Sequence, residues 1–384
     1  MRARTVIIWI VSATLVAGCS SAQPTVTPPQ VTTAANVGTS TRPPPPPTSG
    51  AAAPAVADAV TLAFTGDMLV SDEMRARAAT NAGGSGFDFD FEPMLREVAP
   101  ILRAADWAVC HQETPISADN RALSGWPSFN APYQLAEAEK AAGYDACSTA
   151  SNHTVDRGSA GVKSTLDTFD RVGLRHVGSA RSAAESRRLT FYEVKDVRIG
   201  HTSYTFGTNG IAPPTAWTVN LIDPARVRAD AARLRRAGAD FVVVSLHFGE
   251  EKVPTPSAYQ RQVVEQVMAS RDVDLVIGHH AHVVQPVQLR PDGRWVVFGL
   301  GNLLAQQVIA PGESATPPHR DGVILRLTVA RGQSGRYAVR RVGYVPTFVE
   351  TPSDVVRLTP AFSRRRTVAV LTSLGAPLVD DTPG

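Results

Sequence analysis

The chain of 384 residues has little cysteine, only three residues, and none of them stand in a CxxC spacing. That excludes a cysteine-built zinc module and a multi-disulfide scaffold. It also has little excess charge, with 38 basic against 35 acidic side chains and a formal net charge of +3. A balance that even does not raise the field on which nucleic-acid binding depends, so no nucleic-acid partner is expected. No apolar run reaches the ~20 residues that cross a bilayer. No internal repeat is visible, which argues against a solenoid or propeller. What remains is an ordinary globular balance, 43% hydrophobic and 19% charged, with ample material for a buried core.

The first 58 residues read differently from the rest. MRAR is followed by an apolar run from Thr5 to Ala17 and then Gly18-Cys19, the pattern of a signal peptide over residues 1–18. Val16-Ala17-Gly18-Cys19 looks like a bacterial lipobox, in which Cys19 carries the lipid; the alternative is an ordinary secretory signal with a chance cysteine. Either reading predicts export, and the first predicts an extracytoplasmic lipoprotein held on the cell membrane. Residues 19–58 are rich in Pro, Thr, Ser and Ala, with the run Pro43 to Pro47. Such a segment buries too little apolar surface to offset its ordering entropy, so a disordered spacer is expected there.

From residue 59 the pattern becomes β-rich runs alternating with Ala- and Arg-rich helical stretches, which predicts an α/β domain over 59–348. Strands are expected at Val60 to Thr65, Trp107 to Cys110, Asp145 to Thr149, Phe241 to Leu246 and Asp274 to Ile277. Helices are expected near Glu92 to Ala104 and Gln134 to Ala142. Leu189 to Lys195 and Val197 to Phe206 read as antiparallel strands that either extend this sheet or start a second, and Trp295 to Phe298 and Val323 to Val329 as later strands. Residues 349–384 read as a last helix and tail.

Each of the first five strands runs into an ionisable tip: Asp67, His111-Gln112-Glu113, Ser151-Asn152-His153, His247, and His279-His280-Ala281-His282. Taken singly, an Asp at a strand end is more often a helix cap and a buried His a satisfied core residue. Together, Asp67, Glu113, Asn152, His153, His247, His280 and His282 would meet on one rim, where open α/β sheets build their sites. Mixed carboxylate, amide and imidazole groups suit borderline divalent metals.

The motifs GDMLV, HQETPIS, SNHTVDRG, SLHFGEE, GHHAHVVQP and FGLGNLL occur in the order seen in the CapA family of capsule and poly-γ-glutamate synthesis proteins, and the chain resembles that family over roughly Val60 to Leu304. CapA-like proteins are in turn similar to calcineurin-like metallophosphoesterases. The resemblance implies a metallophosphoesterase-like layered β-sheet sandwich flanked by helices. It implies one or two divalent ions of the Mn, Fe, Zn or Mg class, held by Asp67, Glu113, Asn152, His247, His280 and His282, with His153 as the acid beside them. Asp156 either orients His153 or caps the following helix.

Two departures stand out. Leu69 occupies the place of the phosphoesterases' first-motif His, and His111 that of an Asn usual in CapA-like proteins, as a substitute ligand or a spectator. Alternation along a strand pairs His280 with His282 and leaves His279 spare. His111, Glu251, His279 and Asn302 are candidate substrate contacts; Glu251 alternatively starts a helix near Ser257. The loop Trp126 to Asn130 is a candidate cleft wall. Cys110 and Cys147 are either bonded or two small buried apolar residues.

The functional expectation is a metal-dependent phosphoester-type hydrolase acting on a cell-envelope polymer or its precursor. The rival is a non-catalytic accessory protein that binds an anionic polymer and a membrane partner, such as a synthesis complex, during export or assembly.

Overall fold

The computed structural model describes residues 59–383, except 85, 87, 308–313 and 315. The expected signal peptide, the spacer and Cys19 lie outside the described residues.

The strands in chain order are β1 (Val60–Leu69), β2 (Trp107–Gln112), β3 (Ala146–Ser148), β4 (Arg175–Val177), β5 (Thr190–Val194), β6 (Val197–Thr205), β7 (Phe241–His247) and β8 (Leu275–His279). They continue with β9 (Val287–Leu289), β10 (Trp295–Val297), β11 (Asn302–Ala305), β12 (Asp321–Arg331), β13 (Tyr337–Glu350), β14 (Val355–Leu358) and β15 (Val379–Asp380). One sheet has the order β14-β13-β12-β1-β2-β3-β4, with β11 also on β1 and β15 on β13; the other is β5-β6-β7-β8-β10-β9. Within them β1 to β4 run parallel, as do β6, β7, β8 and β10. Thr190 to Thr205 form the expected antiparallel pair, and they build the edge of the second sheet.

Period-two alternation decides which faces meet. Val60, Leu62, Phe64, Trp107 and Val109 of the first sheet share one core with Ile199, Phe241, Val243, Leu275, Ile277 and Val297 of the second. The residues between them face outward under helices. Ala63, Ala108, Cys110 and Cys147 lie with Leu135, Ala138 and Phe169, while Val242, Val244 and Val276 lie with Val227, Leu234, Val263 and Val267. The result is two sheets face to face with helices on the outer sides. At roughly 2 to 3 kcal/mol for each large apolar side chain removed from water, this burial is what holds the strand ends in place.

Some elements differ from expectation. The helix expected near Glu92 to Ala104 is two short ones, Glu92–Leu95 and Ala99–Arg103, each with a proline in its first turn. Pro100 offers no N–H and disfavours helical backbone at the residue before it, which favours a break there. Strand β1 continues past Thr65 with a register shift between Phe64 and Asp67, so Asp67 lies at an irregularity and not after the strand. Strand β13 runs through Pro346 and continues past residue 348 to pair with β14. Cys110 and Cys147 are in-register neighbours of β2 and β3 with Cα atoms 4.5 Å apart, and they are disulfide-bonded; the alternative of two unlinked apolar residues falls away. No described helix is long and apolar enough to cross a membrane.

Candidate metal centre

The carboxyl ends of β1, β2, β7 and β8, with the segment after β3, converge at one end of the sandwich. Close backbone approach makes this possible. A Cβ on Gly66 would lie 2.1 Å from the Gly301 carbonyl oxygen, and one on Gly278 2.0 Å from that of Phe298, so only glycine fits beneath these tips.

Asp67 is the hub. Its Oδ1 lies 3.1 Å from His279 Nδ1, and its Oδ2 accepts from the His280 backbone N–H at 3.1 Å and lies 3.3 Å from His282 Nδ1. One donor group comprises Asp67, His111 and His279, and a second Glu113, His280 and His282; within each, the candidate ligand atoms lie within 4.8 Å of one another. His247 links them, with Nδ1 at 2.8 Å from His111 Nε2 and Nε2 at 2.8 Å from Asn152 Oδ1 and 3.8 Å from Glu113 Oε1. All six residues that the resemblance marks as ligands are therefore brought together, and His111 and His279 join them. A third grouping, Cys110, Glu139 and Cys147, has no thiolate to offer because its sulfurs are bonded to each other.

His279 is not spare. Strand β8 ends at His279, and His280 and His282 take left-handed backbone with φ of 89° and 54°. Side-chain alternation stops there, so the pairing of His280 with His282 alone does not follow, and all three imidazoles reach the site. Two left-handed non-glycine residues in one turn is a costly conformation of the kind found at functional sites.

The other candidates sort by burial. His111 and His279 are 0% and 4% exposed and belong to the donor cluster. Asn302 is buried behind His282, with Oδ1 2.9 Å from His282 Nδ1 and its amide donating to the His319 carbonyl, so it orients that imidazole and does not face the opening. Glu251 is exposed at the mouth. Leu69 packs with Phe129 and Ala305, which makes that side of the rim apolar.

His153 sits beside the cluster. Its Nδ1 lies 2.8 Å from Asp156 Oδ2, which also accepts from the Phe129 backbone N–H at 2.8 Å. The helix Gly158–Val172 has Arg157 at its N-cap with no side-chain cap, so Asp156 orients His153 and does not cap. In the Trp126 to Asn130 loop it is Phe129 that packs edge-on against His153, at 4.7 Å, while Trp126 is exposed.

Electrostatics separates the two carboxylates. Burial alone would raise the Asp67 pKa, yet hydrogen bonds from His279 and His282 hold it well below the usual range. Burial pushes Glu113 well up, and His282 offsets this only in part. Burial lowers His282 too, but Glu113 and Asp67 outweigh it and bring it to about 10. His280 falls to about 3, through burial and then through His282. Both Glu113 oxygens and His280 Nδ1 are buried without a hydrogen-bond partner among the described residues. An unpaired buried carboxylate is costly, and a cation between Glu113, His280 and His282 would relieve it. The oxygen and imidazole donor set fits a divalent ion.

Two contributors have no place in the sequence reading. Asn209 Oδ1 accepts from Asn152 Nδ2 at 3.1 Å, and the Phe206 ring lies 4.6 Å from that of His280. The signal was there: Phe206 to Gly210 is another strand exit, after β6, ending in the turn pair Asn209-Gly210.

A family model described as bacterial capsule synthesis protein PGA_cap matches residues 61–307. The chain is 26% identical over 257 residues to the capsule biosynthesis protein CapA of Bacillus anthracis, covering 65% of this chain and 60% of that protein. It is 25% identical over 309 residues to the PGA biosynthesis protein CapA of Bacillus subtilis strain 168, covering 79% and 74%. Among solved structures, the calcineurin-like phosphoesterase YfkN of Bacillus subtilis aligns with a TM-score of 0.41 and 14% identity, over 81% of this chain and 96% of that one. With the family's sequence pattern matched over more than half its length, the chain belongs to the bacterial capsule synthesis protein (PGA_cap) family.

Proposed function

We propose that this protein is a metal-dependent hydrolase of phosphoester-type bonds that acts in the synthesis of a capsule, poly-γ-glutamate or other cell-envelope polymer. The observation that carries the reading is the Glu113 carboxyl, 0% exposed and without a hydrogen-bond donor among the described residues, facing imidazoles from different strand ends at 3.6 and 3.8 Å. Asp67, His111 and His279 would hold one ion, and Glu113, His280 and His282 a second, with Asn152 and His247 between them. Bound there, a divalent ion lowers the pKa of a water and neutralises phosphoryl oxygens. The reaction is a hydrolysis: a water oxygen bonds to phosphorus, the P–O bond to the leaving group breaks, and a proton is delivered to the leaving oxygen. His153 would deliver it; the 2.8 Å contact of its Nδ1 with Asp156 Oδ2, which would hold the ring in one orientation, supports that role. Phe129 and Asp156 keep that imidazole from turning.

The location belongs to the same proposal: export under the N-terminal signal, with Cys19 as the lipid-bearing residue on the membrane.

Elemental analysis of protein purified without chelators tests the reading together with turnover of a generic phosphodiester. Wild type is expected to carry divalent metal and to turn over. His153→Ala should keep metal and lose turnover, and Asp67→Ala should lose both. A wild-type protein that holds no metal and takes up none from Mn, Fe or Zn would leave only the accessory binder of an anionic polymer. Leu69 in place of the phosphoesterases' first-motif His favours that second reading.

A further inference from the structure

The segment that leaves β6 carries exposed apolar side chains next to the candidate metal centre. Phe206 is 43% exposed and Ile211 42%, while the histidines that Phe206 touches are almost fully buried. The ring of Phe206 lies 4.6 Å from the His280 ring and near-parallel to the His247 ring, at 6.4 Å and 11°. One face is therefore spent on the ligand imidazoles and the other is open. The backbone fixes it there: the Phe206 N–H donates to the His247 carbonyl at 3.0 Å, and Thr205 donates to the Gly207 carbonyl at 3.0 Å. A half-exposed phenyl ring held rigid costs little entropy when a ligand settles on it.

We infer that Phe206 is a specificity-determining residue, and that the substrate carries a ring on the group next to the phosphoryl centre. The inference rests on the hydrolase reading and names the substrate's shape. The acidic group of the substrate belongs over the donor cluster, and Phe206 adjoins His280 on that cluster's edge, so what stacks there is the substituent one bond away. A bare polyglutamate backbone has no ring to offer. A nucleobase has a flat one, which stacks offset on a phenyl face, and a sugar has a puckered one, whose C–H face packs against the phenyl.

The test is binding as well as turnover, in metal-replete wild-type protein, Phe206→Leu and Phe206→Trp. Calorimetry with phenylphosphonate and methylphosphonate reads the ring preference without chemistry. Phenylphosphonate should bind about three- to tenfold tighter to wild type. Phe206→Leu, which keeps apolar cover over the histidines, should lose that preference, and Phe206→Trp should keep it. The same pattern is expected in the inhibition constants of the two phosphonates against turnover of a phosphodiester that carries no ring. Competition by a hexose 1-phosphate and by a nucleoside monophosphate then tells sugar from base, since the favoured one should weaken in Phe206→Leu. Turnover with no ring preference, or a preference that Phe206→Leu leaves intact, overturns this inference alone. No turnover and no binding of either phosphonate overturns it together with the hydrolase reading.

Discussion

Glu113 and Asp321 are both carboxylates closed off from solvent, at 0% and 2% exposure, and the molecule treats them in opposite ways. Asp321 opens β12 and is met on every side: Ser363 Oγ donates at 2.6 Å, Arg366 Nε at 2.6 Å and an Arg366 Nη at 2.7 Å. These bonds fasten the last helix, Ala361–Leu371, to the sheet. Glu113 is given no donor among the described residues, only His282 Nε2 at 3.6 Å and His247 Nε2 at 3.8 Å. A fold that supplies three donors to one buried carboxylate is able to satisfy another. Leaving Glu113 unpaired therefore marks a position reserved for a ligand, whereas Asp321 is a fastening.

Exchanging the two roles breaks or sharpens this contrast, and the largest effect is expected at Glu113. Glu113→Gln should weaken divalent-metal binding by more than the 10- to 100-fold that outer partners of a metal ligand contribute, with turnover falling in step. In chelator its unfolding free energy should change little, because burial already pushes the Glu113 carboxyl well up and no hydrogen bond to it is lost. Asp321→Ala should do the reverse, lowering stability by about 3 kcal/mol in urea denaturation while the folded protein keeps its metal. Loss of stability at Glu113 in chelator, or loss of metal from folded Asp321→Ala, would erase the distinction.

A smaller effect is expected one step from the cluster, at Asn209. Its side chain accepts from the Asn152 amide and so turns the Asn152 oxygen toward His247. Asn209→Ala should weaken metal binding about tenfold, with stability changed by less than 1 kcal/mol. Asn209→Asp keeps the acceptor and should restore most of the affinity. Equal losses in the two variants would show that the segment matters for packing and not for the amide's orientation.

Much of this was legible in the sequence, and the exceptions share a cause. The strand tips are local: a β-rich run followed by Glu113, Asn152 or His247 states both the element and its end, whereas the run before Asp67 gives the element but not its end, since β1 continues to Leu69. The convergence of those tips follows from parallel strands, which put successive carboxyl ends on one rim. What escaped depends on backbone geometry or distant pairing. His279 looked spare because nothing in the letters announces left-handed backbone at His280 and His282. Strand β13 was hidden by Pro346, Gly343 and the pair Arg340-Arg341, which local propensity sets against a central strand and which β12 and β14 override by pairing. Asn302 lies behind His282 because β11 pairs with β1, a contact across more than two hundred residues of chain. The Cys110 to Cys147 bond needed the register of β2 on β3.

Glu139 offers the smallest and sharpest test, because it matches neither member of the pair. It lies on the helix Gln134–Ala142, is 0% exposed, has no hydrogen-bond partner for either oxygen among the described residues, and sits over the Cys110 to Cys147 bond. With no hydrogen-bond donor to hold its charge among the described residues, burial raises its pKa well above 4.5. The sign of the pH effect follows. A carboxyl whose folded pKa lies above its unfolded value adds most to stability below the unfolded value, and that contribution drains away as pH rises toward the folded one. Wild type should therefore lose stability from pH 5 to pH 8 relative to Glu139→Gln, which does not titrate. The variant's stability relative to wild type should improve across that range, by about 1.4 kcal/mol for each unit of displacement that falls within it. Urea denaturation at both values, in chelator so that metal linkage does not contribute, reads the difference. An identical offset at pH 5 and pH 8 would mean that Glu139 is ionised in the folded protein, and the rule that an unpaired buried carboxylate marks a ligand position would then lose its control.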